Sequence, residues 1–169
     1  RRPDSPIWGY SSAENAYAAA QAALAYYRIL DARQEGRIIT TAQQLTDQIA
    51  TWRGAKNRDD LPMGLVLGLE GTDPVLSPEH VHEWWGQGVR VASLAHYGVS
   101  TYAHGTGRPG GLLEQGPALL REMDACGMLL DLTHTAEEAF WQAIEIFTGP
   151  VLASHQNCRA LVPGERQFS

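Results

Sequence analysis

Four residues able to bind a metal or move a proton close four apolar runs: Glu70 in MGLVLGLEGT, His96 in VRVASLAH, His134 in MLLDLTH and His155 in PVLASH. A carboxylate at the tip of a buried run is costly to desolvate unless a cation or hydrogen-bond donors meet it. Glu70, His134 and His155 make one carboxylate and two imidazoles, the kind of set from which zinc sites with an open position are built. Buried histidines are also common as hydrogen-bonded core residues, so the residue types alone leave both readings open. Asp131, inside the run before His134, is either a carboxylate that orients a ligand histidine or an acceptor for backbone amides. His80 and His82 lie two apart on a helical stretch, point to different sides and cannot both face one metal; they read as surface histidines. His104 has no partner pattern.

These tips need rigid elements behind them. Met63 to Glu70 reads as one buried strand, because an unbroken apolar run of this length with glycines and aliphatic residues fits a strand covered on both faces. Gly88 to His96, Met128 to Leu132 and Val151 to Ser154 are three more. Alternation places Gly68 on the face of Glu70 and Ala153 on the face of His155, which leaves room beneath each candidate ligand. Helices fall between the strands. Ser77-Pro78 starts one that runs to about Gly86. Leu112 to Cys126 is a second, stopped by Gly127, and Ala136 to Phe147 a third, opened by the capping pattern Thr135-x-x-Glu138. Upstream, Ser11-x-x-Glu14 opens a helix to Asp31, Arg37 to Ile39 is a short strand candidate, and Thr40-x-x-Gln43 then opens a second helix. The glycine-rich stretch Tyr97 to Gly111 lacks the third glycine and the directly following helix of a dinucleotide fingerprint, and reads as a mobile loop over the site.

The 169 residues and 44% hydrophobic content suffice for one ordinary domain with a real core. A net charge of -6 argues against nucleic acid or an anionic membrane surface as partner, and no apolar stretch is long enough to span a bilayer. Cys126 and Cys158 are too few for a disulfide framework and lack CxxC spacing, which favours the reducing cytoplasm; the compartment stays open, since a signal peptide would lie upstream of Arg1. Both termini read as polar loops cut from something longer.

Strands alternating with helices argue a parallel sheet with crossover helices. Four successive strands with polar tips fit the ring of a (β/α)8 barrel better than an open sheet, where ligands gather at one switch point. A whole barrel takes roughly 250 residues. The expectation is therefore a single domain over residues 1–169 that is a partial TIM-type barrel, with an N-terminal helical part (1–62) and four successive βα units carrying the site (63–169). Uncovered sheet edges should make it poorly stable alone.

GLEG at Gly68 to Gly71, SLAHYG at Ser93 to Gly98, LLDLTH at Leu129 to His134 and ASHQNCRAL at Ala153 to Leu161 resemble, in order and spacing, the membrane dipeptidase (renal dipeptidase) family. The likeness covers roughly Met63 to Ser169, with a weaker one over the N-terminal helices to bacterial members. It implies a zinc-dependent barrel of the metal-dependent amidohydrolase kind that hydrolyses dipeptides, often with a D-residue on the C-terminal side. By that resemblance Glu70 matches a carboxylate bridging two zinc ions, and His134 and His155 match the histidines on the second zinc. His96 matches a histidine at the scissile bond that stabilises the tetrahedral intermediate, and Arg166 matches a substrate-binding arginine. A metal-activated hydroxide would then attack the peptide carbonyl. The family's His-x-Asp pair is absent from these residues, its proton-shuttling aspartate belongs to a later strand, and Tyr97 stands where many animal members carry Asn. The chain alone is thus expected to hold at most one weakened zinc site and to be inactive. The alternatives are a metal-dependent amidohydrolase acting on another amide or a lactam, and a non-catalytic barrel used for binding. Trp84 and Trp85 leave a homodimer open, although packing on the barrel is the commoner fate of such a pair.

Overall fold

The computed structural model describes residues 10–164 and 166–168. The opening segment 1–9, read above as part of a loop, and Glu165 and Ser169 lie outside the described residues. Among the described residues five helices and six strands follow one another: α1 (Ala13–Ala32), β1 (Gly36–Ile38), α2 (Ala42–Gly54), β2 (Met63–Leu65), β3 (Leu67–Glu70), α3 (Val81–Gly86, after a 3-10 turn at Pro78–His80), β4 (Val89–Ser93), α4 (Gly116–Cys126), β5 (Leu129–Asp131), α5 (Glu137–Ile146) and β6 (Val151–Leu152).

All strand pairs are parallel. β3, β4, β5 and β6 form a four-stranded sheet in sequence order, and β1 pairs with β2. This is the barrel-type α/β arrangement that the alternation implies. The run from Met63 to Glu70, however, is two strands and not one. Val66 separates them, so that β2 follows β1 while β3 follows β4, with a register shift at Leu67/Gly68. Nor is the run fully buried: Met63 is 59% exposed, although α2 reaches this end, where Gln48 and Trp52 donate to the Pro62 carbonyl. The fourth strand, β6, is followed by turns and no helix among the described residues, so three complete βα units precede it.

Three helices cover one face of the sheet. Val81 and Trp84 of α3, Leu119, Leu120 and Met123 of α4, and Ala139 and Ala143 of α5 pack with Val89, Ala92 and Leu130 of the strands in one continuous core. Truncating a fully buried leucine such as Leu119 to alanine costs roughly 2–5 kcal/mol in cores of this type. Trp84 is 1% exposed and Trp85 lies under the Arg90 guanidinium, 3.8 Å from its ring centre, so both tryptophans face inward within one chain. His80 is likewise no surface residue: it is half-buried, accepts from the Leu76 amide through Nδ1 (3.0 Å) and packs against Tyr17 and Trp84.

The helix starts differ from the sequence reading by one residue, for a simple reason. Ser11-Ser12 and Thr40-Thr41 each offer two adjacent hydroxyls, and the second, in extended conformation directly before the helix, is the cap. Ser12 accepts from the Asn15 amide, and Thr41 forms a full capping box with Gln44. The pattern Thr135-x-x-Glu138 makes no cap at all: Ala136 is the N-cap of α5, and no side chain bonds to that helix end. α4 begins only at Gly116, since Leu113 first bonds back to the Tyr102 carbonyl.

The glycine-rich stretch after β4 is tied down on every side rather than loose. Backbone bridges join Tyr97 to Thr106, Val99 to His104, Ala103 to Leu112 and Gly105 to Thr135. Asp73 accepts from the amide and hydroxyl of Thr101, and the buried Tyr102 hydroxyl donates to the Val75 carbonyl. Gly105 lies so close to the floor that a Cβ there would collide with the His96 carbonyl and the Ala95 side chain. His104 is held in this stretch, its ring against Gly110.

Candidate metal centre

The polar tips converge. Glu70 is the last residue of β3, and His96, His134 and His155 each lie three residues beyond the ends of β4, β5 and β6. Parallel strands in sequential order put these ends on one rim, the C-terminal rim where barrel proteins carry their sites. Glu70 Oε1 is 3.1 Å from His155 Nε2, 3.4 Å from His134 Nε2 and 3.5 Å from His96 Nε2. The two nitrogens of His134 and His155 are 3.2 Å apart. Among the described residues, Glu70, His134 and His155 are the group whose donor atoms could share one ion.

Hydrogen bonds on the far side of each ring fix which nitrogen is bare. Ser154 Oγ donates to Asp131 Oδ2 and so accepts from His155 Nδ1 at 2.7 Å. Thr106 Oγ1 meets His134 Nδ1 at 3.0 Å and donates to the His134 carbonyl at 3.4 Å. In their neutral form both histidines are thereby Nδ1–H tautomers, which turn a bare Nε2 toward Glu70. With both rings neutral, the two bare nitrogens and the carboxylate oxygen turn their lone pairs toward one point, where a cation would relieve their repulsion. The donor set therefore fits a divalent metal.

Burial supports the same state. His134 is 2% exposed, and burial together with the nearby positive charges of His96 and Arg166 lowers its pKa to about 4, against the opposing pull of Glu70. It is neutral at physiological pH, as a ligand must be. Its backbone is in the left-handed region, φ 66, a conformation that non-glycine residues adopt at a cost and that clusters at functional sites. Asp131 serves both roles that the sequence left open. Its Oδ1 accepts from the Thr133 and Ser154 amides, and it reaches His155 only through the Ser154 hydroxyl. Burial opposes its charge, but these hydrogen bonds outweigh burial and hold its carboxyl below the usual range.

Arg166 comes next to the group through the chain itself: its Nη2 donates to the His155 carbonyl at 3.1 Å, and its buried Nε has no partner. Tyr97 stands beside the histidines, its ring 4.9 Å from that of His96 and 5.0 Å from that of His134. The sequence reading missed Thr106 and Ser154 as supports. Ser154 had a signal, its place directly before His155 on a run that also follows Asp131; Thr106, 28 residues from His134, had none.

Residues 11–169 match the family described as Membrane dipeptidase (Peptidase family M19). A dipeptidase of Claviceps purpurea, tcpJ, is 37% identical over 106 residues, which is 60% of this chain and 25% of that protein. An uncharacterized dipeptidase of Schizosaccharomyces pombe, C3A11.10c, is 32% identical over 101 residues, 57% of this chain and 25% of the relative. Among solved structures, a metallo peptidase from Rhodobacter sphaeroides liganded with a phosphinate mimic of L-Ala-D-Ala superposes with a TM-score of 0.75 at 24% identity, covering 93% of this chain and 45% of its own. The dipeptidase AC, also a metallo peptidase, gives 0.80 at 22% identity, covering 93% and 47%. The chain thus spans under half the length of the proteins it resembles, and over that span it belongs to the membrane dipeptidase family.

Proposed function

We propose that this chain carries metal-holding and substrate-facing residues of a zinc-dependent dipeptidase. The observation that carries the reading is the convergence of three ligand-type atoms, Glu70 Oε1, His134 Nε2 and His155 Nε2, 3.1–3.4 Å from one another. Ligands at the corners of a tetrahedron around zinc, each about 2.0–2.1 Å from it, lie about 3.3 Å apart. Glu70 meets all three histidines through Oε1, which would leave Oε2 to face a second ion, as the family resemblance implies.

Such an ion supplies Lewis acidity toward a peptide carbonyl and toward water. The chain's own residues do the rest. Thr106 and Ser154 keep the two imidazoles turned so that Nε2 faces inward. His96, outside the tight trio, would donate from Nε2 to the oxygen of the scissile bond as charge builds there. Arg166 offers a fork of donors that suits a substrate carboxylate. Tyr97 walls the side between His96 and His134.

The test is zinc content and hydrolysis of L-Ala-D-Ala by protein carrying this chain, native and with His134→Ala or His155→Ala. The expected result is that each substitution removes zinc and hydrolysis together. Equal zinc in all three forms would remove the metal assignment. Zinc lost with turnover of a lactam but never of a dipeptide would keep the metal and move the substrate to another amide.

A further inference from the structure

Arg166, to which the reading above gives the substrate carboxylate, stands on a segment with little regular structure of its own. From Gln156 to Phe168 the described residues make turns, bends and one isolated bridge, Cys158 to Phe168, with no helix or longer strand. A guanidinium on such a segment points where its backbone is held, and a second arginine does the holding. Arg159 donates from both Nε and Nη2 to the carbonyl of Gln167, the residue directly after Arg166, at 2.9 and 2.6 Å. Its own amide donates to the Phe168 carbonyl at 2.7 Å. The remaining nitrogen, Nη1, reaches the other way and meets Glu137 Oε2 at 2.9 Å. Glu137 opens α5, three residues after His134.

We propose that Arg159 is a positioning residue for substrate binding: it sets Arg166 relative to the metal trio by tying the backbone beside Arg166 to the helix that begins behind His134. The proposal rests on the dipeptidase reading, in which Arg166 meets the substrate. Arginine suits the task because its planar fork directs several bonds at once, whereas a lysine ammonium is a point charge on a flexible stem. Neighbouring contacts close the same loop. Gln156 Nε2 donates to the Arg166 carbonyl, the Asn157 amide donates to the Gln167 side-chain oxygen at 2.8 Å, and the Phe168 ring packs on Phe140 of α5, 4.4 Å between centres. The hydrogen-bond partners of the Arg159 side chain are Gln167 and Glu137, and none of the trio is among them. Its loss should therefore appear in substrate binding and leave the metal in place.

The test is hydrolysis of L-Ala-D-Ala and of its C-terminal amide by protein carrying this chain, with zinc content measured alongside. The forms compared are native, Arg159→Lys, Arg159→Gln, Arg166→Gln and the double variant Arg159→Lys with Arg166→Gln. Both Arg159 variants should raise KM for L-Ala-D-Ala about tenfold with kcat within about threefold and zinc unchanged. The preference for the free carboxylate over the amide should narrow with it. In the Arg166→Gln background, Arg159→Lys should add no further loss, since the two residues act through one contact. Native KM in both Arg159 variants, or a full effect of Arg159→Lys in the absence of Arg166, would overturn the positioning role and leave the dipeptidase reading standing. So would losses shared equally by zinc, acid and amide, the mark of a support for the fold alone. Hydrolysis of neither substrate by the native protein would overturn the dipeptidase reading and this proposal with it.

Discussion

On one side of the candidate centre, His134 is almost inaccessible and bonded through Nδ1 to Thr106, and His155 is braced through Ser154 by Asp131. On the other, Glu70 is 56% exposed and His96 36%, and the described residues that meet their side-chain polar atoms are those of the site itself. The first pair has its orientation set by neighbours before any ion arrives. The polar atoms of the second pair have no such brace outside the site, although the His96 ring packs against Tyr97 and His134. A centre built this way would separate holding from adapting: the two braced imidazoles would serve as fixed ligands, and the open carboxylate and His96 would adjust as a substrate enters.

Removal of a braced ligand should have the largest effect. His134→Ala is expected to weaken zinc binding by more than the about 10–100-fold that loss of a supporting partner costs, measured by competition with a chromophoric chelator; a change within threefold would break the distinction. Next comes the brace itself. Ser154→Ala leaves every donor atom in place but frees the His155 ring, and should cost about tenfold in the same measurement, mostly through a less favourable entropy of binding.

The third effect is in pH. The folded pKa of His134 is lowered from 6.5 to about 4, so below pH 6.5 the unfolded chain binds a proton that the folded chain refuses. Stability contributed by the neutral ring is complete above about 6.5 and is lost as pH falls towards about 4. Denaturant midpoints of the metal-free chain should drop across that window, and His134→Asn should flatten the slope there. The smallest effect is expected on the adaptable side: His96→Ala should leave zinc affinity within about threefold, because His96 lies outside the tight trio, while lowering turnover of the active protein by about tenfold or more. Zinc affinity falling as steeply as in His134→Ala would place His96 among the ligands.

Much of this division was legible in the order of residues, and its limits have physical causes. An apolar run ending in His or Glu announces a strand tip, and four in succession announce a rim. The change of pairing partner at Val66 left no such trace, since valine suits a strand as well as a break between two. Doubled hydroxyls at Ser11-Ser12 and Thr40-Thr41 made the caps certain in kind and ambiguous by one residue. Thr135-x-x-Glu138 had the letters of a cap without the function, because the bridge from Gly105 and the bond from the Ala136 amide to the His104 carbonyl set the helix start one residue later. Glycines in the Tyr97–Gly111 stretch suggested mobility, yet at Gly105 the missing side chain serves close contact instead.

The left-handed backbone of His134 bears on which replacements the molecule can absorb unnoticed. Asparagine tolerates that conformation better than most residues, and valine or isoleucine hardly at all. A drift from histidine to asparagine would keep the turn, the helix behind it and the solubility of the protein while erasing the imidazole. Inheritance of the shape and inheritance of the chemistry can therefore part company at this single position, and a relative that folds alike but carries Asn here would have kept the architecture and lost the centre.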